Sequence, residues 1–368
     1  MKLKIAYFVS NRTIFPPDPG EVSASSTVVG DIIKNLSPKH DITVYAPIGS
    51  KMKGVNIKNC GLKPYHLGFN LSDTEWTTRA TVGMRQIFLG KLFSEADQYD
   101  IIHIHTEPIY LGMPYISLIS TPVLFTSHNP VKEFEKPIYE HFADKVNLSA
   151  VSKNQALTIS SKIKIPYIHN AIEVNKYSCN FEPKSYYLFL GRIVKEKGIE
   201  TFLKVIQTNR DLAFKVVGTG KPEYENELRI EVAKSAKLEF INKIVHRETA
   251  PWFELFKNAK ALIAPIEWEE PFGLTFIEAM GCGTPVIAFK RGAASEIIDH
   301  NVNGLLVDSK KGHTGISEAI NKLEQLEKDD YIKMRHNARA TVENKFSTQI
   351  MASKYERLYY ELINKKGA

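Results

Sequence analysis

The apolar residues of this chain occur mostly in short runs that are separated by longer amphipathic stretches. Six runs in the first half are rich in β-branched residues and predict strands that are buried on both faces. These runs cover residues 4–10, 41–47, 100–105, 122–127, 146–152 and 165–170. Between the first two runs, apolar residues recur at helical spacing from Val28 to Leu36. This alternation of strand and helix predicts a doubly wound α/β domain with a parallel sheet.

The same alternation begins again near residue 186. Six further runs predict a second set of buried strands, at 186–191, 213–218, 238–241, 261–266, 285–289 and 304–307. Residues 170–187 lack convincing periodicity and are interpreted as a hinge, and the chain after Val307 is predicted to be helical. We therefore predict two Rossmann-like domains that face each other across a cleft, with ligands outside the carboxyl ends of the strands.

Length and composition agree with this prediction. The chain has 368 residues, more than the roughly 250–300 at which a single core stops growing. Hydrophobic residues make up 43% and charged residues 24%, which is ordinary for a globular protein. The three cysteines, Cys60, Cys179 and Cys282, fit neither a disulfide framework nor a metal site. With no apolar run near the roughly 20 residues of a membrane span, we expect a soluble cytoplasmic protein.

The net charge of +7 changes this picture only locally. Residues 1–150 contain 15 Lys and Arg against 14 Asp and Glu, so the surplus is spread over the rest of the chain and nucleic acid is not an expected partner. Residues 42–72 contain no acid and carry four lysines, Lys51, Lys53, Lys58 and Lys63. One interpretation is a solvated basic loop. The other is a patch that faces an anionic acceptor or, in weak peripheral contact, the cytoplasmic face of a membrane.

The segment LGRIVKEKG, residues 190–198, concentrates cations where a strand is followed by a helix. Arg192, Lys195 and Lys197 lie in a turn between Gly191 and Gly198, and glycines let the backbone approach a ligand closely. A helix start already attracts anions, so the added cations indicate a polyanion such as a diphosphate. An incidental solvated helix start is the alternative.

A second glycine turn follows the next predicted strand. VVGTGK, residues 216–221, contains Gly218 and Gly220 but lacks the third glycine of a dinucleotide-binding fingerprint. It is interpreted either as a tight strand–helix turn or as a close approach to a nucleotide.

Residues 269–280, EEPFGLTFIEAM, carry the most specific signal. Pro271 favours an extended turn at Glu270, Gly273 frees the backbone, and a helix is predicted from about Leu274. Glu270 would then lie on the approach loop and Glu278 about one turn inside the helix. Carboxylates accept hydrogen bonds from hydroxyls, so the pair suits a sugar ligand. Alternatively, the two acids serve the helix dipole and an i,i+4 pair, but this leaves the proline and glycine unexplained.

Histidines follow two strands of the first series. DIIHIHTEP places His103 and His105 at the carboxyl end of one strand, and FTSHNP places His128 after the next. His103 is interpreted as a satisfied, half-buried residue, whereas His105 adjoins a polar loop and suits chemistry equally well. The three histidines have no metal spacing, and Walker A, HExxH and Asp-x-Asp motifs are absent from the sequence. We therefore predict no metal and no cofactor.

Taken together, FLGRIVKEKG, VVGTGK, EPFGLTFIEAM-GCGTPVIAF and GAASEII…NGLLV resemble the donor half of the retaining family 4 glycosyltransferases with the GT-B fold. DIIHIH, TSH and IHNAIEVNKY resemble their first half. The resemblance implies an acceptor domain at 1–172, a donor domain at 173–347 and a last helix, 348–368, that crosses back to the first domain. The implied reaction is a retaining, metal-independent transfer of a hexose from a nucleotide-diphospho-sugar, UDP-sugar being favoured over GDP- or ADP-sugar. The acceptor would be a hydroxyl of a glycan, lipid or small molecule.

The resemblance also implies roles for single residues. Arg192 and Lys197 would hold the donor diphosphate, Glu270 the sugar hydroxyls and Glu278 the ribose. Gly20 would lie in the first loop over the diphosphate, and Gly218 in the nucleotide turn. The backbone of the helix start at Phe272, Gly273 and Leu274 would lie along the sugar and phosphate. His105 would lie at the reacting face. Two alternatives stay open, a non-hydrolysing sugar-nucleotide epimerase and an inert nucleotide-sugar-binding protein.

Overall fold

The computed structural model describes residues 1–368 except 19–20, 22, 66–73, 143, 161–162, 183–185, 244, 246–247 and 367–368. The side chains of 74–76 and 366 are also outside the description. The backbone forms two compact units, residues 1–170 with 348–368, and residues 171–347. The predicted division lay two residues later, between 172 and 173.

The first unit is built on a six-stranded parallel sheet, as the sequence pattern predicts. Its strands are β1 (Lys4–Phe8), β2 (Asp41–Tyr45), β3 (Asn56–Lys58), β4 (Ile101–Ile104), β5 (Val123–Thr126) and β6 (Asn147–Ser149). They lie in the order β3-β2-β1-β4-β5-β6. All four residues of β4 and β5 are buried, which explains why these strands are apolar except at His103 and Thr126.

The prediction of a strand at 165–170 is wrong. This run makes a single bridge beside β6, in which Ala150 N donates to Pro166 O at 3.0 Å and Ile168 N donates to Ala150 O at 2.9 Å. Pro166 has no N–H and cannot extend a ladder at its own position. The sixth strand is instead β3, at the edge of the sheet next to β2, which the sequence pattern did not predict.

Helices cover the first sheet. They are α1 (Ala24–Leu36), α2 (Thr74–Ser94), α3 (Lys136–Phe142) and α4 (Lys153–Ile159), with 3₁₀ turns at 96–98, 109–118 and 133–135. The apolar positions predicted from Val28 to Leu36 form the buried face of α1. In the described parts of the chain, no helix is both long and apolar enough to cross a membrane.

The second unit repeats this architecture. Its strands are β7 (Tyr186–Leu190), β8 (Ala213–Val217), β9 (Leu238–Ile241), β10 (Ala259–Ala264), β11 (Val286–Phe289) and β12 (Gly304–Val307). All of them run parallel, in the order β12-β11-β10-β7-β8-β9. Side chains of β7 and β10, such as Phe189 and Ile263, lie in the core with Phe202. This arrangement of two doubly wound sheets confirms the predicted α/β fold class.

The helices of the second unit precede one helix that returns to the first unit. They are α5 (Ile199–Thr208), α6 (Pro222–Lys234), α7 (Ala250–Lys257), α8 (Leu274–Gly281), α9 (Ala294–Ile297), α10 (Gly312–Glu324) and α11 (Lys328–Lys345). The last helix, α12 (Thr348–Lys366), belongs to the first unit and packs against α1. The chain after Val307 is thus largely helical, as predicted.

In each sheet the strand order reverses at the centre, between β1 and β4 and between β7 and β10. Ligands of open parallel sheets bind outside the carboxyl ends of strands at such a reversal. At the first reversal His105 N donates to Phe8 O at 2.9 Å, which joins the ends of β4 and β1. At the second, Gly191 follows β7 and Pro265 follows β10. The fold therefore brings several sequence-predicted residues to these two positions.

Candidate functional site

Two loops meet where the strand order of the second sheet reverses. We call residues 191–198 the β7 loop and residues 265–273 the β10 loop. Glu267 N donates to Glu196 O at 3.1 Å, and a Cβ atom at Gly198 would lie 1.8 Å from Pro265 O. Gly198 also has φ +80°, which disfavours other residues. Glycine is therefore required at this position for the two loops to touch.

Lys197 and Glu270 form an ion pair between these loops. The Lys197 Nζ lies 2.6 Å from the Glu270 Oε2, and the side chains are 21% and 15% exposed. The indole N–H of Trp268 donates to the same oxygen at 2.5 Å. One carboxylate oxygen thus accepts from a charged and a neutral donor. The sequence predicts separate roles for Lys197 and Glu270, whereas the structure brings the two side chains together.

Trp268 is a site residue that the sequence analysis missed. The Lys197 Nζ lies 5.0 Å from the centre of its indole ring, and the guanidinium carbon of the exposed Arg192 lies 6.0 Å from it. The ring face attracts both cations electrostatically. The available signal in the sequence was an aromatic residue between acids, two positions before Glu270.

The helix start that follows the β10 loop is open at its first two positions. Phe276 N donates to Gly273 O at 3.0 Å, whereas in the described part of the chain the N–H groups of Leu274 and Thr275 have no such acceptor. α8 begins at Leu274, as predicted, and Gly273 at φ +95° has no side chain to cap it. The first-turn N–H groups of a helix have no partner within the helix, so they can bind an oxyanion. The side chain of Phe272 is buried, with its ring centre 5.8 Å from that of Phe346, and anchors the loop to the core.

Glu278 lies one turn inside α8, as predicted, and is fully buried. The Tyr177 hydroxyl donates to its Oε1 at 3.4 Å. The pKa of the nearby Cys282 thiol is raised to about 12. Burial is the main cause, and Cys179 and Glu278 contribute less. Glu278 thus differs from the partly exposed Glu270, and its contact with a ribose stays a prediction.

The glycines of VVGTGK have a structural reason. A Cβ atom at Gly218 would lie 1.9 Å from Gly191 O, and one at Gly220 would lie 2.0 Å from Ile193 O. Both glycines allow the loops after β7 and β8 to pack backbone against backbone. The tight-turn interpretation accounts for them, and a contact of Gly218 with a nucleotide stays a prediction. Gly20, predicted to lie over the diphosphate, falls outside the described residues.

In the first unit three histidines form a hydrogen-bonded line, which we call the histidine row (His103, His105 and His128). The Nδ1 of His105 lies 2.8 Å from the Nε2 of His128, and the Nε2 of His105 lies 3.2 Å from the Nδ1 of His103. Burial lowers the pKa of all three side chains, for His128 to about 4. The row is therefore uncharged at neutral pH.

Two buried tyrosines continue the row. The hydroxyl of Tyr359, on α12, lies 2.6 Å from His103 Nδ1 and 2.8 Å from the hydroxyl of Tyr7. Burial raises the pKa of both phenols, which stay neutral. The Nε2 of His103 lies 2.7 Å from Thr126 Oγ1. If each histidine carries its proton on Nε2, every contact in the row joins one donor to one acceptor.

His105, predicted at the reacting face, lies inside this row. It is 1% exposed, and both ring nitrogens are within hydrogen-bonding distance of other histidines. The half-buried His128 is the outer member. Among the residues that the structure describes, no group of three or more His, Cys, Asp or Glu is arranged to hold a metal ion.

Glu107, which the sequence analysis also missed, positions the loop that carries His128. Its Oε1 accepts from His128 N at 2.6 Å, Asn129 N at 3.2 Å and the Ser127 hydroxyl at 3.1 Å. Burial raises the pKa of this carboxyl, and the hydrogen bonds oppose that effect. An acid two positions after His105 was the available signal.

Comparison with known proteins shows which proteins this chain is similar to. Residues 173–341 match the family model of glycosyl transferases group 1. The putative glycosyltransferase YtcC of Bacillus subtilis strain 168 is 22% identical over 308 residues, 74% of this chain and 75% of the relative.

Two solved structures align with almost the whole chain. Sucrose-phosphate synthase of Thermosynechococcus elongatus aligns with TM-score 0.76 and 17% identity, covering 99% of this chain and 100% of that one. HepE of Anabaena in complex with UDP-glucose aligns with TM-score 0.72 and 16% identity, covering 98% and 100%. The protein is a glycosyltransferase with the GT-B fold, and its residues 173–341 form a glycosyl transferases group 1 domain.

Proposed function

We propose that the protein transfers a hexose from a UDP-sugar to a hydroxyl of a cytoplasmic glycan, lipid or small molecule, with retention of configuration and without a metal ion. The donor binds to the second unit at the β7 and β10 loops, and the acceptor binds to the first unit beyond β1 and β4. The observation that supports this most is the Lys197–Glu270 pair beside Trp268 and the open start of α8. The fold that the chain shares with a UDP-glucose complex makes UDP-glucose the first donor to test.

The ion pair suggests how the donor enters. Lys197 and Glu270 neutralise each other at 2.6 Å. A diphosphate competes with Glu270 for the ammonium group, and the released carboxylate then accepts hydrogen bonds from hydroxyls of the sugar. Nucleotide and sugar are thus recognised by the two halves of one pair.

In the proposed step, the bond between the anomeric carbon and the β-phosphate oxygen breaks, and a bond to the acceptor oxygen forms on the same face. The acceptor proton passes to an oxygen of the departing diphosphate, so the step differs from the paired-carboxylate chemistry of hydrolases. Lys197, Arg192 and the first-turn N–H groups of α8 stabilise the negative charge that develops. Each such donor is worth about 3 kcal/mol in a site that excludes water.

A thermal-shift panel tests the donor. UDP-, GDP- and ADP-glucose are added to the full chain, and a ligand that binds only the folded state raises its melting temperature, by the equivalent of about 2.7 kcal/mol at 100 times its Kd. We expect the largest shift with UDP-glucose. A larger shift with another nucleotide would replace UDP in the proposal.

Product analysis tests the reaction. The protein is incubated with UDP-glucose and a mixture of hydroxyl acceptors, with EDTA or with magnesium. We expect UDP and a glycoside of unchanged anomeric configuration at equal rates in both. Formation of an isomerised nucleotide-sugar without acceptor, binding without turnover, or strict dependence on magnesium would overturn the proposal.

A further inference from the structure

The basic segment at 42–72, which in the structure includes β3 and most of β2, is not the strongest candidate for an anion site in the first unit. Its most buried lysine, Lys58, is 2.8 Å from Glu95 Oε2 and 3.1 Å from the Tyr99 hydroxyl. These partners occupy the ammonium group, and Lys51, Lys53 and Lys63 are exposed. A better-placed cation lies outside this segment, on α2.

Arg85 is half-buried on α2 and donates from Nε to Asn11 Oδ1 at 3.2 Å. Within the described part of the chain this is the only hydrogen bond of the guanidinium, and it has no acid within the 4.0 Å of an ion pair. Arginine carries five N–H donors in a fixed plane. The donors on its two terminal nitrogens are therefore available to a ligand.

Asn11 holds this guanidinium in place. Its side chain is fully buried, and its Nδ2 donates to Thr81 O at 3.4 Å, about one turn before Arg85 on α2. Its backbone oxygen accepts from Tyr65 N at 3.1 Å. Asn11 follows β1 by three residues, at the carboxyl end of a central strand. The loop after β1, the segment at Tyr65 and α2 thus meet at Arg85.

Three polar side chains act electrostatically on the guanidinium. Burial lowers the pKa of Arg85, and the opposing effects of Tyr65, Glu107 and Tyr110 are smaller. Burial also raises the pKa of Tyr110, which keeps it a neutral O–H donor. The Oε1 of Glu107 is occupied by hydrogen bonds from residues 127–129, so this carboxylate supports the loop rather than neutralising Arg85 in contact.

We propose that Arg85, fixed by Asn11, binds an anionic group of the acceptor, a phosphate or a carboxylate. Its planar fork offers parallel N–H groups that match two oxygens of such a group, which a lysine cannot do. Glu107 links this position to the histidine row, because it bonds the backbone of His128 and lies close enough to Arg85 to shift its pKa. An acceptor anchored at Arg85 would carry its hydroxyl toward the row. This inference rests on the proposed function for the identity of the ligand as the acceptor.

The test measures anion binding directly. Inorganic phosphate and, separately, acetate are titrated into the ¹⁵N-labelled full chain while the backbone amide and the arginine Nε–H resonances are followed. The variants are Arg85→Gln and, as matched control, Arg79→Gln, which removes the same charge from an exposed position on the same helix. Arg85→Lys keeps the charge without the fork and serves where Arg85→Gln does not fold.

We expect saturable binding of phosphate, of acetate or of both to the wild type and to Arg79→Gln. The change in chemical shift should be larger at Arg85 than at the other arginines. Arg85→Gln should bind at least about tenfold more weakly, the typical effect of losing a charged hydrogen bond, and Arg85→Lys should lie between them. A stronger response to phosphate than to acetate assigns the acceptor group as phosphate. Equal affinity of Arg85→Gln and the wild type, or binding of neither anion by the wild type, would overturn the inference.

A UDP titration of the same samples separates this inference from the proposed function. Phosphate binding that depends on Arg85, together with no binding of UDP, would support the anion site and remove the proposed donor. UDP binding with no anion binding would leave the donor in place and overturn the site.

Discussion

Replacing Glu270 by glutamine should tighten binding of UDP while it removes the advantage of UDP-glucose over UDP. The reason is the ion pair with Lys197, in which both side chains are mostly buried and 2.6 Å apart. In the proposed function the diphosphate must take Lys197 from Glu270 before it gains this contact. Glutamine is nearly the same size and keeps an oxygen for the indole N–H of Trp268, so the change is chiefly one of charge.

The expected change in UDP affinity follows from the competition between Glu270 and the diphosphate for Lys197. Two unit charges about 4 Å apart attract by about 4 kcal/mol near a protein surface, but desolvation and side-chain entropy leave a net value of about 1 kcal/mol for most measured pairs. Removing this competition tightens UDP binding about fivefold. The sugar loses a charged acceptor worth about 1.5–3 kcal/mol, so the ratio of the UDP-glucose and UDP affinities falls at least tenfold.

Isothermal titration calorimetry with UDP and with UDP-glucose measures both affinities. Glu196→Gln is the matched control, because it removes one negative charge from the β7 loop through an exposed side chain and leaves the ion pair intact. If Glu270→Gln weakens both ligands equally, or if Glu196→Gln tightens UDP as much, then Glu270 does not compete for Lys197 and the reasoning fails.

Three further predictions concern the two units separately. Lys197→Met should weaken UDP binding at least about tenfold in calorimetry, whereas Lys195→Met, an exposed cation of the same loop, should change it less than threefold. Gly198→Ala should destabilise the protein by about 2 kcal/mol or more in urea, because its Cβ meets the β10 loop; Gly54→Ala, with similar φ but open space, should cost about 1 kcal/mol. The pKa of His128 lies at about 4 when folded and 6.5 ordinarily, so the unfolded chain binds more protons between these values. The free energy of unfolding should therefore fall by about 3 kcal/mol from pH 6.5 to 4 through this residue, and less in His128→Gln.

The strand pattern predicted the fold well where strands are buried on both faces. β4, β5 and β11 are buried along their whole length, so their sequences are apolar except at His103 and Thr126. β3 escaped prediction because an edge strand keeps one side toward solvent and here includes the polar Asn56 and Lys58. The run at 165–170 has a strand-like composition, but a strand also needs a partner with free N–H and C=O groups, which composition does not reveal.

The residues of the site were predicted better than their contacts. Lys197 and Glu270 were each identified from local motifs, yet their ion pair joins residues 73 apart and depends on β7 lying next to β10. Asn11 and Arg85 are 74 apart, and neither belongs to a local motif. The spacing of residues within one loop indicates which ligand groups that loop could bind. The order of strands in the sheet decides which loops contact each other.

The two units differ in the charge of the side chains that lie at the strand-order reversal of their sheets. The second unit carries a paired cation and carboxylate at its central reversal. The first unit carries histidines whose pKa values burial has lowered, and a side chain with a lowered pKa is a weak base. Glu107, the carboxylate beside them, is held by backbone N–H groups. In the proposed step the departing diphosphate is therefore a better base for the acceptor proton than the histidine row, which agrees with the proton route given under the proposed function.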